Sequence, residues 1–182
     1  MKKCLIIDFD DTLVSTITTH ADSWRRSLER VLRKEISIES ILSDINYGMD
    51  VLLQKYQLSP EEVKLAEKYK KQIFSKNLHK TKVNQLLLWI CKNGLFEKIY
   101  IASNSSRENV DKIMSYHDIN PNLFDGIITR DDVTNKKPHP EMARLIFECN
   151  DYTKEDYLMV GDSEVDSTFA HKNKIECILV KF

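Results

Sequence analysis

At 182 residues the chain is the size of one domain, or of one domain with a modest insertion. Lys+Arg 27 against Asp+Glu 28 gives a formal net charge of −1, which exerts no global pull on nucleic acid or an anionic membrane and points to a small-molecule partner. Cys4, Cys91, Cys149 and Cys177 form no C-x-x-C pair, which argues against zinc and disulfide frameworks and for reduced, mostly core cysteines.

The opening M-K-K-C-L-I-I imitates a signal sequence only until Asp8 interrupts it. No run approaches the ~20 apolar residues of a membrane span, so cytoplasmic residence is expected. Leu5 to Phe9 is a short apolar run that ends in acid, the pattern of a strand buried in a parallel sheet. Asp8, Asp10 and Thr12 stand two apart, and on an extended backbone that spacing sends all three side chains to one side. Carboxylates so placed repel unless one holds a proton or a cation sits between them, and Mg2+ is the natural oxygen-bound neutraliser. The end of this strand is the candidate reaction centre.

Ser15 to Lys82 reads differently, with helical spacing and no convincing strand. Trp24, Leu28, Val31 and Leu32 make one apolar stripe. Ser59-Pro60-Glu61-Glu62 spells a helix start, and Ala66, Tyr69 and Ile73 continue the stripe. A helical insert after the first strand is expected. Val83, Leu86, Leu87 and Ile90 then predict a helix that Gly94 ends as a left-handed cap. Regular alternation follows: a strand over 99–102, a helix capped by Ser105 with Glu108, a strand over 126–129, a helix over 141–149, a strand over 157–160, a helix over 164–173 with Asn173 as a left-handed cap, and a strand over 177–180. Such alternation predicts an α/β fold with a parallel, Rossmann-like sheet flanked by helices, and ligands in such folds bind beyond the carboxyl ends of strands. With only Gly48, Gly94, Gly126 and Gly161 in the chain, neither G-x-G-x-x-G nor G-x-x-x-x-G-K-[ST] can be built, which excludes a glycine-rich nucleotide loop.

Polar residues follow four of these strands: Asp8 to Thr12, Ser103-Asn104, Lys136-Lys137-Pro138, and Gly161-Asp162-Ser163 with Asp166. Parallel strands end on one edge, so groups distant in sequence can converge there. D-F-D-D-T-L at 8–13, I-A-S-N-S at 101–105, K-K-P-H-P-E at 136–141 and V-G-D-S-E-V-D at 160–166 together resemble the four ordered motifs of the haloacid dehalogenase superfamily. The helical insert resembles that superfamily's C1-type cap, and the D-F-D…His20…Trp24 spacing its beta-phosphoglucomutase-like branch.

The resemblance implies a discontinuous catalytic core over 1–14 and 83–182 with a helical cap over 15–82. It implies Mg2+ as cofactor and Asp8 as the nucleophile of an aspartyl-phosphate route. Asp10 would be general acid and then base, binding metal through its main-chain carbonyl, and Thr12 would support the loop. Ser103 and Asn104 would hold the phosphoryl group and Lys137 would neutralise charge. Asp162 would be a metal ligand, with Asp166 a ligand through water or a holder of neighbours. His20 reads either as a group bordering the substrate or as a partly buried helix residue, and Asp11 stands where relatives often have glycine. The expected activity is hydrolysis of a small phosphorylated metabolite (a sugar, polyol or amino-alcohol phosphate) by a monomer or homodimer. A phosphomutase of the beta-phosphoglucomutase type and a non-catalytic phosphate-binding protein are the alternatives.

Overall fold

The computed structural model describes residues 2–45 and 54–182; residues 46–53 of the expected helical insert lie outside them. The chain divides into two compact units, one of Met1–Ser15 with Lys82–Phe182 and one of Thr16–Thr81.

The first unit is built on five parallel strands in the order β5-β4-β1-β6-β7. These are β1 (Cys4–Ile7), β4 (Lys98–Ala102), β5 (Gly126–Ile128), β6 (Tyr157–Gly161) and β7 (Glu176–Leu179). A two-stranded antiparallel ribbon of β2 (Val14–Ser15) and β3 (Lys82–Val83) joins the segments on either side of the second unit. From β1 the chain steps outward to β4 and β5, then crosses back to β6 and β7. Right-handed crossovers therefore put helices α4 (Gln85–Lys92) and α5 (Arg107–Tyr116) on one face of the sheet, and α6 (Glu141–Glu148) and α7 (Glu164–Asn173) on the other. The direction reverses between β1 and β6, and the crevice at that reversal is where such sheets bind ligands.

Burial explains the placement. Cys4, Leu5, Ile6 and Ile7 are all buried, as expected of a central strand covered on both faces. One face packs Cys4, Ile6, Tyr100, Ala102 and Met159 against Met142, Ala143 and Ile146 of α6 and Phe169 and Ala170 of α7. The second unit is helical among its described residues, with α1 (Ile17–Leu32), α2 (Ile38–Ile45) and α3 (Pro60–Lys76). Its core gathers Ala21, Trp24, Leu28, Ile36, Ile41 and Ala66, and Ser27 Oγ donates to Ala66 O at 2.5 Å where α1 and α3 meet. Ser59 starts α3 with a complete capping box to Glu62, as its spacing predicts.

Several local expectations shift. Val83 belongs to β3, and α4 starts two residues later than its apolar pattern implies, because the Asn84 side chain accepts from Leu87 N. Leu87, Leu88 and Cys91 then form the buried face and Leu86 is exposed. The cap of α5 is Ser106, which accepts from Asn109 N, because the Ser105 main chain is turned to donate to Ser103 Oγ. Gly94 does take the left-handed conformation, with φ 63°. At the end of α7 that role falls to Lys174, φ 57°, rather than Asn173. The Asn173 amide stays in the helix and donates to Phe169 O at 2.7 Å.

At the start of β6, the ring of Tyr157 is fully buried, edge-on to Phe147 and Tyr152, and its hydroxyl has no hydrogen-bond partner among the described residues. An unsatisfied buried hydroxyl costs on the order of 1–3 kcal/mol. Tyr157→Phe is therefore expected to raise stability by about 1 kcal/mol, seen as a higher urea midpoint with an unchanged denaturant slope.

Candidate active site

The site lies beyond the carboxyl ends of β1, β4 and β6. Asp8 follows β1 directly, and its N–H donates to Val160 O at 2.9 Å, continuing the ladder to β6. The next residues turn instead of extending: Leu13 N and Val14 N both donate to Phe9 O at 3.0 Å, and Asp11 N donates to Val14 O at 2.7 Å. This turn corrects the expectation that Asp8, Asp10 and Thr12 converge by strand alternation. They meet because the chain folds back, so that the Thr12 hydroxyl reaches Asp8 Oδ2 at 3.1 Å and Asp162 Oδ1 at 3.4 Å. The turn requires φ 58° at Asp11, a left-handed conformation that favours glycine and that Asp tolerates.

Lys137 supplies the buried cation. It is 3% exposed, and its Nζ donates to Asp8 Oδ1 at 2.6 Å and to Asp166 Oδ1 at 2.7 Å. The other oxygen of Asp166 accepts from Ser163 Oγ at 2.8 Å and from the N–H groups of Asp162 and Ser163 at 3.3 Å. This reciprocal capping box starts α7. Asp166 comes so close to the end of β6 that a Cβ at Gly161 would lie 2.4 Å from both its Cβ and Cγ, so position 161 must be glycine. Ser103 is buried at the end of β4, where its hydroxyl accepts from Ser105 N at 3.0 Å and reaches Asp10 Oδ2 at 3.4 Å.

The electrostatics are unbalanced. Asp8, Asp10, Asp162 and Asp166 share the locality with the single ammonium of Lys137. Burial pushes Asp8 up to about 7, with Lys137 pulling down and Asp166 and Asp10 pushing further up. Burial, then Asp166 and Asp11, push Asp162 up to about 6. Burial opposes charge on Lys137, but Asp8 and Asp166 outweigh it and raise its pKa. A site that disfavours charge on buried Asp8 and Asp162 fits a hard divalent cation. Asp8, Asp162 and Asp166 offer oxygens within 4.8 Å of one another, the donor set such an ion takes. The Asp10 carboxylate is outside that trio. Asp166 is already engaged by Lys137 and the α7 N-terminus, and Asp162 keeps the more open carboxylate.

The structure thus brings together Asp8, Asp10, Thr12, Ser103, Lys137, Asp162 and Asp166. Asn104 is adjacent, but its amide is turned to the main chain of Lys137: Oδ1 accepts from Lys137 N and Nδ2 donates to Lys137 O, both at 2.9 Å. Its side chain is thus engaged with the Lys137 main chain. His20 belongs to the helical unit, where its ring stacks on Phe74 at 4.2 Å. Two further residues, both inside the motifs but given no role by them, support the site. Glu141 accepts from Thr134 N and Asn135 N at 2.8 and 2.9 Å and so anchors the loop that carries Lys137. Ser163 caps α7 under Asp166. The glutamate of K-K-P-H-P-E and the S-x-x-D spacing of 163–166 were the available signals.

A family model of haloacid dehalogenase-like hydrolases matches residues 5–180. Pyrophosphatase PpaX of Bacillus cereus (strain B4264) is 26% identical over 168 residues, covering 89% of this chain and 75% of that protein. Among solved structures, a predicted phosphoglycolate phosphatase from Haemophilus somnus superposes with TM-score 0.83 at 22% identity, covering 99% of this chain and 84% of the other. CbbY from Rhodobacter sphaeroides, in complex with phosphate, superposes with TM-score 0.81 at 18% identity, covering 100% and 87%. At those identities the superpositions speak for the fold.

Two outcomes follow from this geometry. Metal ligation requires ionised carboxylates, and Asp8 and Asp162 lose their protons only as pH rises through about 6 to 7. The rise in Tm produced by a fixed Mg2+ concentration is therefore expected to grow from pH 5.5 to 8, as read by thermal scans with Mg2+ and with EDTA. Gly161→Ala is expected to displace Asp166 and lower stability by about 1–3 kcal/mol through overpacking, measured by urea unfolding.

Proposed function

The chain belongs to the haloacid dehalogenase-like hydrolases, and from that premise we propose that it is a Mg2+-dependent phosphatase acting on a small phosphorylated metabolite. The observation that carries this reading is Asp8: a buried carboxylate at a strand end, one oxygen held by Lys137 and the other by Thr12, with a second acid, Asp10, two residues on.

In this reading a carboxylate oxygen of Asp8 attacks phosphorus, the bond to the leaving oxygen breaks with its electron pair, and Asp10 protonates that oxygen. Asp10, now a base, takes a proton from water, which attacks phosphorus. The bond to Asp8 breaks and phosphate leaves. Lys137 offsets charge on Asp8 and on the phosphoryl oxygens, and Ser103 donates to the phosphoryl group once its hydroxyl turns from Asp10. Phosphoryl transfer asks a protein chiefly for such positioning and charge stabilisation. Asp8, Asp162 and the main-chain carbonyl of Asp10 would hold Mg2+, which when bound adds positive charge where nucleophile and substrate are both anionic. Asp166 acts through its grip on Lys137.

The helical unit, inserted between the first and second motifs, is assigned the role of cap, and His20 is among the residues expected to govern substrate choice. Sugar, polyol and amino-alcohol phosphates are the favoured class. Pyrophosphate joins the candidates because a relative carries that activity in its name.

The decisive assay is Mg2+-dependent phosphate release across a panel of phosphomonoesters, including hexose 1-phosphates, together with pyrophosphate. Release from a few compounds, abolished by EDTA, is the expected result. Asp8→Asn should lower kcat by at least about 10⁴-fold, Asp10→Asn by roughly 10²–10⁴-fold and Lys137→Ala by about 10²–10³-fold. Full activity in Asp8→Asn would overturn the scheme. Release from no member of the panel would overturn the phosphatase reading and direct the work to a bisphosphate-primed mutase assay.

A further inference from the structure

The segment between the Arg130–Asp132 turn and α6 contains no regular element, yet it must place an ammonium between two carboxylates. Thr134, Asn135, Lys136 and His139 are exposed along it, and Lys137 alone is buried. Two ties hold the segment. The Glu141 carboxylate grips Thr134 and Asn135 upstream. At Lys137 itself the main-chain N–H and C=O are both taken by one side chain, the amide of Asn104.

We infer that Asn104 is a positioning residue that sets Lys137, and that its amide works on this loop instead of on the phosphoryl group. An amide that pairs with both the N–H and the C=O of one residue copies a strand pairing, fixing where the Cα lies and how the peptide planes are turned. Five side-chain bonds then separate that Cα from an ammonium that must stand 2.6–2.7 Å from both Asp8 and Asp166. A misplacement of about 1 Å at such a distance from the reacting atoms costs roughly 100-fold in rate. Asn104 directly follows Ser103, whose N–H is pinned to Ile128 O at 2.9 Å in the β4–β5 ladder. The clamp thus references the loop cation to the same sheet end that carries the Ser103 hydroxyl. The inference deepens the phosphatase reading and rests on it for its kinetic consequences, but the clamp itself is tested without turnover.

Kinetically, kcat and KM of the Mg2+-loaded protein are compared with those of Asn104→Ala, Lys137→Ala and the double variant. Asn104→Ala is expected to lower kcat roughly 100-fold with KM within about 3-fold. In the Lys137→Ala background it should cost less than about 3-fold, since residues that act through one another are not additive. Losses that multiply in the double variant, or a raised KM with kcat unchanged, would overturn the inference and mark the amide as a phosphate ligand. Independently of catalysis, brief acetic anhydride labelling read by mass spectrometry should leave Lys137 protected in the parent protein and several-fold more reactive in Asn104→Ala, with exposed Lys136 as internal reference. Asn104→Asp, nearly the same size but with an oxygen facing Lys137 O, should show the same gain and serves if the alanine variant does not fold. Unchanged protection of Lys137 in a folded variant would overturn the clamp. A parent protein that turns over nothing would instead overturn the phosphatase reading, leaving labelling to decide the clamp.

Discussion

The ammonium of Lys137, shared between Asp8 and Asp166 inside the protein, is the interaction on which the rest of the first unit depends. A buried cation is tolerable only when paired, and a buried carboxylate only when something opposes its charge. Each partner here answers for the others. Asp166 binds Lys137 with one oxygen and the start of α7 with the other, so the helix terminus and the cation stabilise the same carboxylate. Gly161 exists to let that carboxylate come close to the strand end, and Glu141 and Asn104 bring an otherwise irregular loop to the point where its lysine can reach.

The pairing is incomplete by design of composition. One lysine does not neutralise Asp8, Asp10, Asp162 and Asp166; burial first, and then the neighbouring carboxylates, raise the pKa values of Asp8 and Asp162. Buried carboxylates make this strand end more costly to stability than an apolar one, a cost of the kind that clusters at functional sites. The turn at Phe9–Val14 is a cost of the same kind. It spends a left-handed Asp11 to bring Thr12 back onto Asp8, which orients the carboxylate without adding charge.

Family membership and local structure carry different parts of the account. The family model spans nearly the whole chain and the solved neighbours share its fold at 18–22% identity. Neither assigns roles to side chains, which rest on the distances among Asp8, Thr12, Ser103, Lys137 and Asp166. The helical unit has its own core around Trp24 and Leu28, so His20 is carried on a body that folds on separate packing.

The four motifs, the strand–helix alternation and the parallel sheet were legible in the sequence because each is written in local pattern: apolar runs, capping pairs and acids at strand ends. Where reading failed, the deciding contacts were individual hydrogen bonds that residue type and spacing do not specify. Asp8 and Thr12 meet through a turn closed on Phe9 O, Ser106 displaces Ser105 as a cap because the Ser105 N–H is drawn to Ser103, and Lys174 rather than Asn173 goes left-handed because the Asn173 amide is buried against Phe169 O. Asn104 reads as a phosphate contact from its motif, and only the fold places Lys137 where both ends of the amide find it. The sequence by itself determined which residues bear charge and that they follow strands ending on one edge; the tertiary structure decided the strand order and which oxygen faces which donor. Hydrogen bonds depend on distances of a few tenths of an ångström between groups 33 or 129 positions apart, and no local pattern encodes them.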